Sequence, residues 1–174
     1  MDPLNAYVCH ALAALELRLR NFDSAKIVLE KVVWQRPTAA ICVALADLER
    51  QLGNVDRAKQ VLLHGLKRCN RERSQLYLSL AWVEEDAFRN LPEAFELIAQ
   101  ALEEDPKNVK IYIAKASMEL RLNRVDEAKN TLKQCLPIEA QDGAHYTMLG
   151  NVPLYFIRQK VMDASLLFFF ARNH

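Results

Sequence analysis

The chain has 174 residues, 51% of them hydrophobic and 26% charged, and its 23 Lys and Arg against 22 Asp and Glu leave a net charge of +1. So even a balance does not demand a polyanion partner, and with only four glycines the composition fits a helix-rich chain that buries one sizeable core. No run is long and apolar enough to span a membrane.

In chain order, residues 4–20 predict a first helix, with Leu4, Tyr7, Val8, Ala11, Leu12, Leu15 and Leu19 at helical spacing. Its partner covers 23–34 and stops near Arg36-Pro37. A second hairpin runs over 38–50 and 56–69, with Thr38 as N-cap, and a polar break over 70–73 follows. A third covers 74–88 and 92–104 and ends at Asp105-Pro106. The fourth covers 108–122 and 126–136, with Pro137 as its stop.

These hairpins are copies of one unit. Glu16, Glu49, Glu85 and Glu119 each stand nine residues before an alanine: Ala25, Ala58, Ala94 and Ala128. The alanines follow one another at 33, 36 and 34 residues, a period that marks a stack of helical hairpins. The fold class is therefore all-α, an α-α superhelix, with four hairpins over 1–136. The small alanine lets two helices of a hairpin cross closely, and Leu29, Leu62, Ile98 and Leu132 fill the space beyond. Asp23, Asp56 and Asp126 supply anions to the first turn of the second helices, and Pro92 takes that place in the third copy.

The repeated glutamate lies in the last turns of a first helix, where a carboxylate opposes the helix dipole. A residue kept there in four copies calls for a partner. Lys26, Lys59 and Lys129 after the alanine are candidates, and amides of a neighbouring helix start are others; Phe95 breaks the lysine pattern in the third copy. The plainer reading is a set of solvated charges worth little each.

Past Pro137 the text changes. Residues 137–174 read as a divergent fifth hairpin or a carboxy-terminal capping and dimerisation segment. Gly150 and Pro153 interrupt it, and Lys160-Val161-Met162-Asp163-Ala164 echoes Arg124 through Ala128. Leu154, Tyr155 and Phe156, with Leu166, Leu167, Phe168, Phe169 and Phe170, carry more apolar bulk than a terminal repeat exposes. That predicts a partner interface, a homodimer being the simplest cover; the alternative folds the phenylalanines back onto the fourth hairpin.

No constellation for catalysis stands out. His10, His64, His145 and His174 lack metal-ligand spacing, and there is no phosphate loop and no nucleophile elbow. Neither cofactor nor metal is expected, and the chain does not read as an enzyme. Glu84-Glu85-Asp86 and Glu103-Glu104-Asp105 read as structural or solvated helix ends, and Trp34 and Trp82 fall at core phase. Cys9, Cys42, Cys69 and Cys135 show no CxxC spacing, and the start carries no secretory signal, which together point to nucleus or cytosol. Arg68, Arg71 and Arg73 make the densest basic cluster, read as a solvated inter-repeat loop, with nucleic acid as the alternative.

The Glu-to-Ala spacing, the Gly53-Asn54 turn and the Ala-Lys start of the second helices resemble the half-a-TPR (HAT) repeat over about residues 6–136. General TPR units share the alanine and the length, carry a small residue where Ala13, Ala46 and Ala116 stand, and usually lack the glutamate; Trp82 departs from both patterns. Leu45 through Gln60, Asn90 through Ala94, Ala101 through Tyr112 and Arg158 through Val161 resemble, in order, the carboxy-terminal HAT array of the pre-mRNA-processing factor thirty-nine family. That resemblance implies a nuclear scaffold of a U-one snRNP acting at 5′ splice-site recognition. Its partners would be protein subunits of an RNA-processing particle, with a homodimer or related heterodimer formed through the carboxy-terminal segment. RNA contact would be indirect or weak, and no membrane is involved. The alternatives are a HAT scaffold of mRNA 3′-end or ribosomal RNA processing and a cytosolic TPR-type peptide-binding adaptor.

Overall fold

The computed structural model describes residues 5–141, with side chains through Gln134. The apolar segment from Leu154 to Phe170 lies outside the described residues. Eight helices account for them: α1 Ala6–Arg18, α2 Phe22–Val33, α3 Ala39–Gln51, α4 Val55–Arg68, α5 Arg73–Asp86, α6 Leu91–Glu104, α7 Val109–Arg121 and α8 Val125–Gln141. The chain is all-α, and the helices pair as hairpins, α1 with α2, α3 with α4, α5 with α6 and α7 with α8.

Polar side-chain caps start three of the four first helices, α1, α3 and α7. The Asn5 side chain accepts from Tyr7 N–H at 3.0 Å, Thr38 from Ile41 N–H at 3.3 Å and Asn108 from Lys110 N–H at 3.2 Å. Each bond satisfies a donor that the helix itself leaves open. The second helices begin one residue earlier than the spacing predicts, at Phe22, Val55, Leu91 and Val125. Asn21, Asn54 and Asn90 hold the cap positions, and Asp23 and Asp56 follow in the first turn.

Every hairpin turn uses one left-handed residue: Arg20 (φ 60°), Gly53 (φ 81°), Arg89 (φ 54°) and Asn123 (φ 61°). Only one of these is glycine, so the other turns accept a backbone cost of about 1 kcal/mol that the stacked helices offset. In three turns the next N–H reaches the carbonyl of the repeated glutamate: Asn21 to Glu16 at 2.9 Å, Asn54 to Glu49 at 2.8 Å and Arg124 to Glu119 at 2.9 Å. These are Schellman closures, the ordinary way to satisfy the last carbonyls of a helix.

One boundary differs. Pro137 does not end α8, which continues to Gln141. Proline removes one intrahelical bond and biases the residue before it, but Ile138, Glu139, Ala140 and Gln141 carry the helix on. The expected division after residue 136 therefore falls inside a helix.

The described residues separate into two compact units, one ending at Pro106 and the other beginning at Lys107. In the first, α2 packs on α3 and α4 on α5, while α3 lies along α5. Its core includes Leu29, Val32, Ile41, Cys42, Leu45, Leu48, Leu62, Leu76 and Ile98, all fully buried. Helix α4 approaches closely enough that a Cβ on Gly65 would sit 3.0 Å from Cys42 Sγ and 3.0 Å from Leu76 Cδ2. Cys42 and Cys69 are buried free thiols here, and Cys9 is half-buried. Burial, and then the neighbouring Cys69, push the Cys42 thiol up to about 12. In the second unit α7 packs on α8 around Ile111, Ala116, Met118 and Ala128.

Candidate interaction surface

The joints between hairpins are built on buried carboxylates. Glu49, near the end of α3, is fully buried. Lys26 of the preceding hairpin lies 2.9 Å from its Oε1 and Asn54 Nδ2 donates to its Oε2 at 2.8 Å. Arg57 Nε stands 3.0 Å from Oε1, and the same guanidinium pairs with Glu30 of α2. The cluster thus ties α2, α3 and α4 together. Burial works against the Glu49 charge, but hydrogen bonds from Lys26 and Asn54, with the charges of Lys26 and Arg57, outweigh it and hold the carboxyl below its ordinary value.

The next joint repeats the arrangement with a shift of one residue. Lys59 Nζ, one place after Ala58, lies 2.6 Å from Glu84 Oε1 and 4.8 Å from the centroid of the Phe88 ring. Glu84, and not Glu85, therefore takes the place of Glu49. The turn confirms the register, since Asn90 N–H closes on the Glu84 carbonyl at 2.9 Å. One extra residue in this turn separates Glu84 from Ala94 by ten positions and misaligns the spacing of nine. Counted from Glu84, the small residue of the third copy is the fully buried Ala81, in line with Ala13, Ala46 and Ala116. The departure assigned to Trp82 disappears with the correction. Glu85 is also buried.

The outer copies treat the carboxylate differently. Glu16 is half-buried and accepts from Asn21 Nδ2 at 2.9 Å, as Glu49 does from Asn54. Glu119 is buried and accepts from Thr131 Oγ1 at 2.8 Å within its own hairpin. Ala25, Ala58, Ala94 and Ala128 are all buried, each in the second turn of its helix.

Other predicted features fall elsewhere. Trp34 caps the end of α2, is half exposed and packs at a tilt of 56° against His64 with centroids 4.7 Å apart, so it is not a core residue. Helical phase fails there because the helix has just ended. Of the basic cluster, Arg68 and Arg71 are exposed, while Arg73 opens α5, pairs with Glu104 at 3.0 Å and donates to Tyr77 Oη at 2.8 Å. An open cleft beside the second turn is lined by Lys26, Asn54, Asp56 and Arg57. Its cations resemble a carboxylate clamp in type, but Lys26 and Arg57 are already engaged by Glu49 and Glu30. Among the described residues no group of three or more His, Cys, Asp or Glu is placed to hold a metal, and no helix is long and apolar enough to cross a membrane.

What remains is an apolar surface on the first hairpin. Tyr7, Val8, Leu12, Leu15 and Leu19 of α1, with Ile27 of α2, are all exposed, and Ala13 is the buried residue of α1. Val8, Leu12, Leu15 and Leu19 follow at intervals of four, three and four, which places them on one helix face. The sequence places Tyr7, Val8, Leu12, Leu15 and Leu19 at helical spacing, and the helical period identifies a face without showing what covers it.

Two family models match the chain, both described as tetratricopeptide repeat, over residues 39–71 and 87–151. No curated protein matches it. Among solved structures it is similar to MamA, with a TM-score of 0.63 and 19% identity over 82% of each chain. It is also similar to MamA from residue 41 to its end from Desulfovibrio magneticus RS-1, with a TM-score of 0.59, 16% identity and coverage of 80% of this chain and 78% of that one. TTC0263, a thermophilic TPR protein of Thermus thermophilus, gives 0.57 and 22% over 77% of this chain and 74% of that one. At these identities the likeness is one of fold. Both matching models are of the general tetratricopeptide repeat, and neither supports the HAT splicing-factor array that stretches of the sequence resemble.

Proposed function

Because this chain is a tetratricopeptide-repeat protein, we propose that it works as a non-catalytic interaction scaffold and binds protein partners through the exposed face of its first hairpin. The fold is that of a repeat scaffold, a class that is typically non-catalytic. The carrying observation is the stripe of Val8, Leu12, Leu15 and Leu19 on α1, which is exposed while Leu29, Leu45, Leu48, Leu62, Leu76 and Ile98 are fully buried. A contiguous apolar face on a protein of balanced charge marks an interaction site. Lys26, Arg57 and Lys59 at the joints are engaged by Glu49, Glu30 and Glu84, whereas this apolar face is exposed. Among the alternatives, the adaptor reading fits better than splicing, with one change: the surface that binds is apolar, not a clamp of free cations.

A photo-crosslinking residue at Leu15, compared with one at the exposed Gln100, tests the proposal. Discrete crosslinked proteins at Leu15 and none at Gln100 support it; equal patterns at both positions refute it. The second reading is a nuclear RNA-processing scaffold, favoured by the glutamate that the HAT resemblance rests on, which is buried at Glu49, Glu85 and Glu119. Crosslinking in separated nuclear and cytosolic extracts decides between the two, because that reading requires subunits of an RNA-processing particle at Leu15.

A further inference from the structure

The end of α2 meets α4 on one side of the first unit. Trp34, the residue after α2, is 50% exposed and packs at a tilt against His64 of α4 with centroids 4.7 Å apart. Half of the indole is therefore open to solvent. Lys31 lies one turn before Trp34. Lys67 and Arg68 stand three and four residues after His64, on the same face of α4. Arg71 follows two residues past Cys69, the C-cap of α4.

All four cations are exposed, and none has an ion pair among the described residues. The cations of the neighbouring joints are used instead: Lys26 and Arg57 by Glu49, Lys59 by Glu84 and Arg73 by Glu104. The sequence places no acidic residue between Glu30 and Asp47, and none between Asp56 and Glu72. Glu30 is engaged by Arg57, and Glu72 borders the patch beyond Arg71. The patch is thus locally basic on a chain whose total charge is +1.

Cations in a last turn suit the negative end of a helix, which accounts for Lys31, Lys67 and Arg68 one by one. It does not account for Arg71 or for the open indole beside them. Unpaired cations hold phosphates, and an open aromatic surface holds a base; together they are what a single-strand binder uses. An acidic peptide would engage the cations and leave the indole idle. A duplex would keep its base faces stacked away from it.

We propose that Trp34 and His64, with Lys31, Lys67, Arg68 and Arg71, form a binding strip for single-stranded nucleic acid. Phosphates lie on the four cations and one base lies on the open side of Trp34. The strip uses backbone charge and a base face, which every sequence offers, so it binds without sequence preference, and weakly at physiological salt. It is a surface separate from the apolar stripe of α1 and goes beyond the scaffold reading.

Fluorescence anisotropy of a labelled single strand of about twelve adenosines, titrated with the full chain from about 50 mM salt upward, tests this. Four phosphate contacts predict a slope of log K against log salt of about −3. Arg68→Glu with Arg71→Glu should weaken binding and make that slope shallower by at least about 1. Trp34→Leu should weaken binding by about fivefold or more and abolish the tryptophan quenching that the strand causes in the wild type. Arg89→Glu, at an exposed cation in another turn, should change neither. Circular dichroism checks that each variant keeps its helix content. No binding at about 50 mM salt overturns the inference, as does binding that Trp34→Leu leaves unchanged. A poly-glutamate peptide of matching length that binds as tightly as the strand, with Trp34→Leu without effect, overturns it in favour of an acidic protein segment. Crosslinking at Leu15 is independent of all these outcomes, so the scaffold reading stands or falls separately.

Discussion

Gly65→Ala sets helix propensity against packing, and the structure gives the sign. Gly65 lies inside α4, where alanine is favoured over glycine by about 1 kcal/mol on propensity alone. A methyl group there would lie 3.0 Å from Cys42 Sγ, 3.1 Å from Cys42 Cβ and 3.0 Å from Leu76 Cδ2. Carbon contacts are optimal near 3.5–4.0 Å, so each of these pairs is compressed by roughly half an ångström or more. The neighbours belong to α3 and α5, so α4 has contacts on two helices to accommodate at once. Overpacking of this kind costs about 1–3 kcal/mol. The expected net effect is a loss of about 1 kcal/mol, which for a urea slope near 2 kcal/mol/M moves the midpoint down by about 0.5 M. Urea unfolding followed by circular dichroism at 222 nm measures it. A midpoint that rises on Gly65→Ala would show that the three helices are not packed this closely and would refute the reasoning.

Glu49→Gln should cost about 3 kcal/mol at pH 7, at the low end for a broken buried pair because Lys26 and Arg57 are partly exposed and can rehydrate. The Glu49 carboxyl is held below its ordinary value of 4.5, so its stabilisation is complete above that value and is lost as pH falls through the folded-state value. Urea midpoints for wild type and variant should therefore converge in acid; a gap independent of pH would contradict the paired carboxylate. Glu84→Gln should cost more than Glu85→Gln if Glu84 is the joint residue, and the reverse order in the same assay would restore the spacing of nine. Direct RNA binding should be weak and salt-sensitive given the +1 charge, and tight binding by fluorescence anisotropy at physiological salt would contradict the protein-scaffold reading.

The hairpins were legible because helix periodicity, caps and a repeat near 34 residues all pointed the same way. The alanine of the second helix was readable for the same reason, since Ala25, Ala58 and Ala94 recur and are all buried. The lysine partner was also readable, but not its direction: Lys26 serves the glutamate of the following hairpin, a long-range contact that spacing within one repeat does not reveal. The third register was lost through one inserted turn residue, although sliding the alignment by one brings Ala81 and Glu84 into line with Ala46 and Glu49. Trp34 was misplaced, and the exposure of the α1 stripe was not legible, because period reports phase on a helix and is silent about whether a neighbour stands opposite. Pro137 misled because proline weakens a helix more reliably than it ends one.

The most direct test of the scaffold account is quantitative affinity purification of the wild-type chain beside the Leu12→Glu, Leu15→Glu variant, with helix content matched. Specific co-purifying proteins should fall by about tenfold or more in the variant, as expected when central apolar anchors are removed from an interface. An unchanged set of partners at unchanged abundance would contradict the account and move the binding surface off the first hairpin.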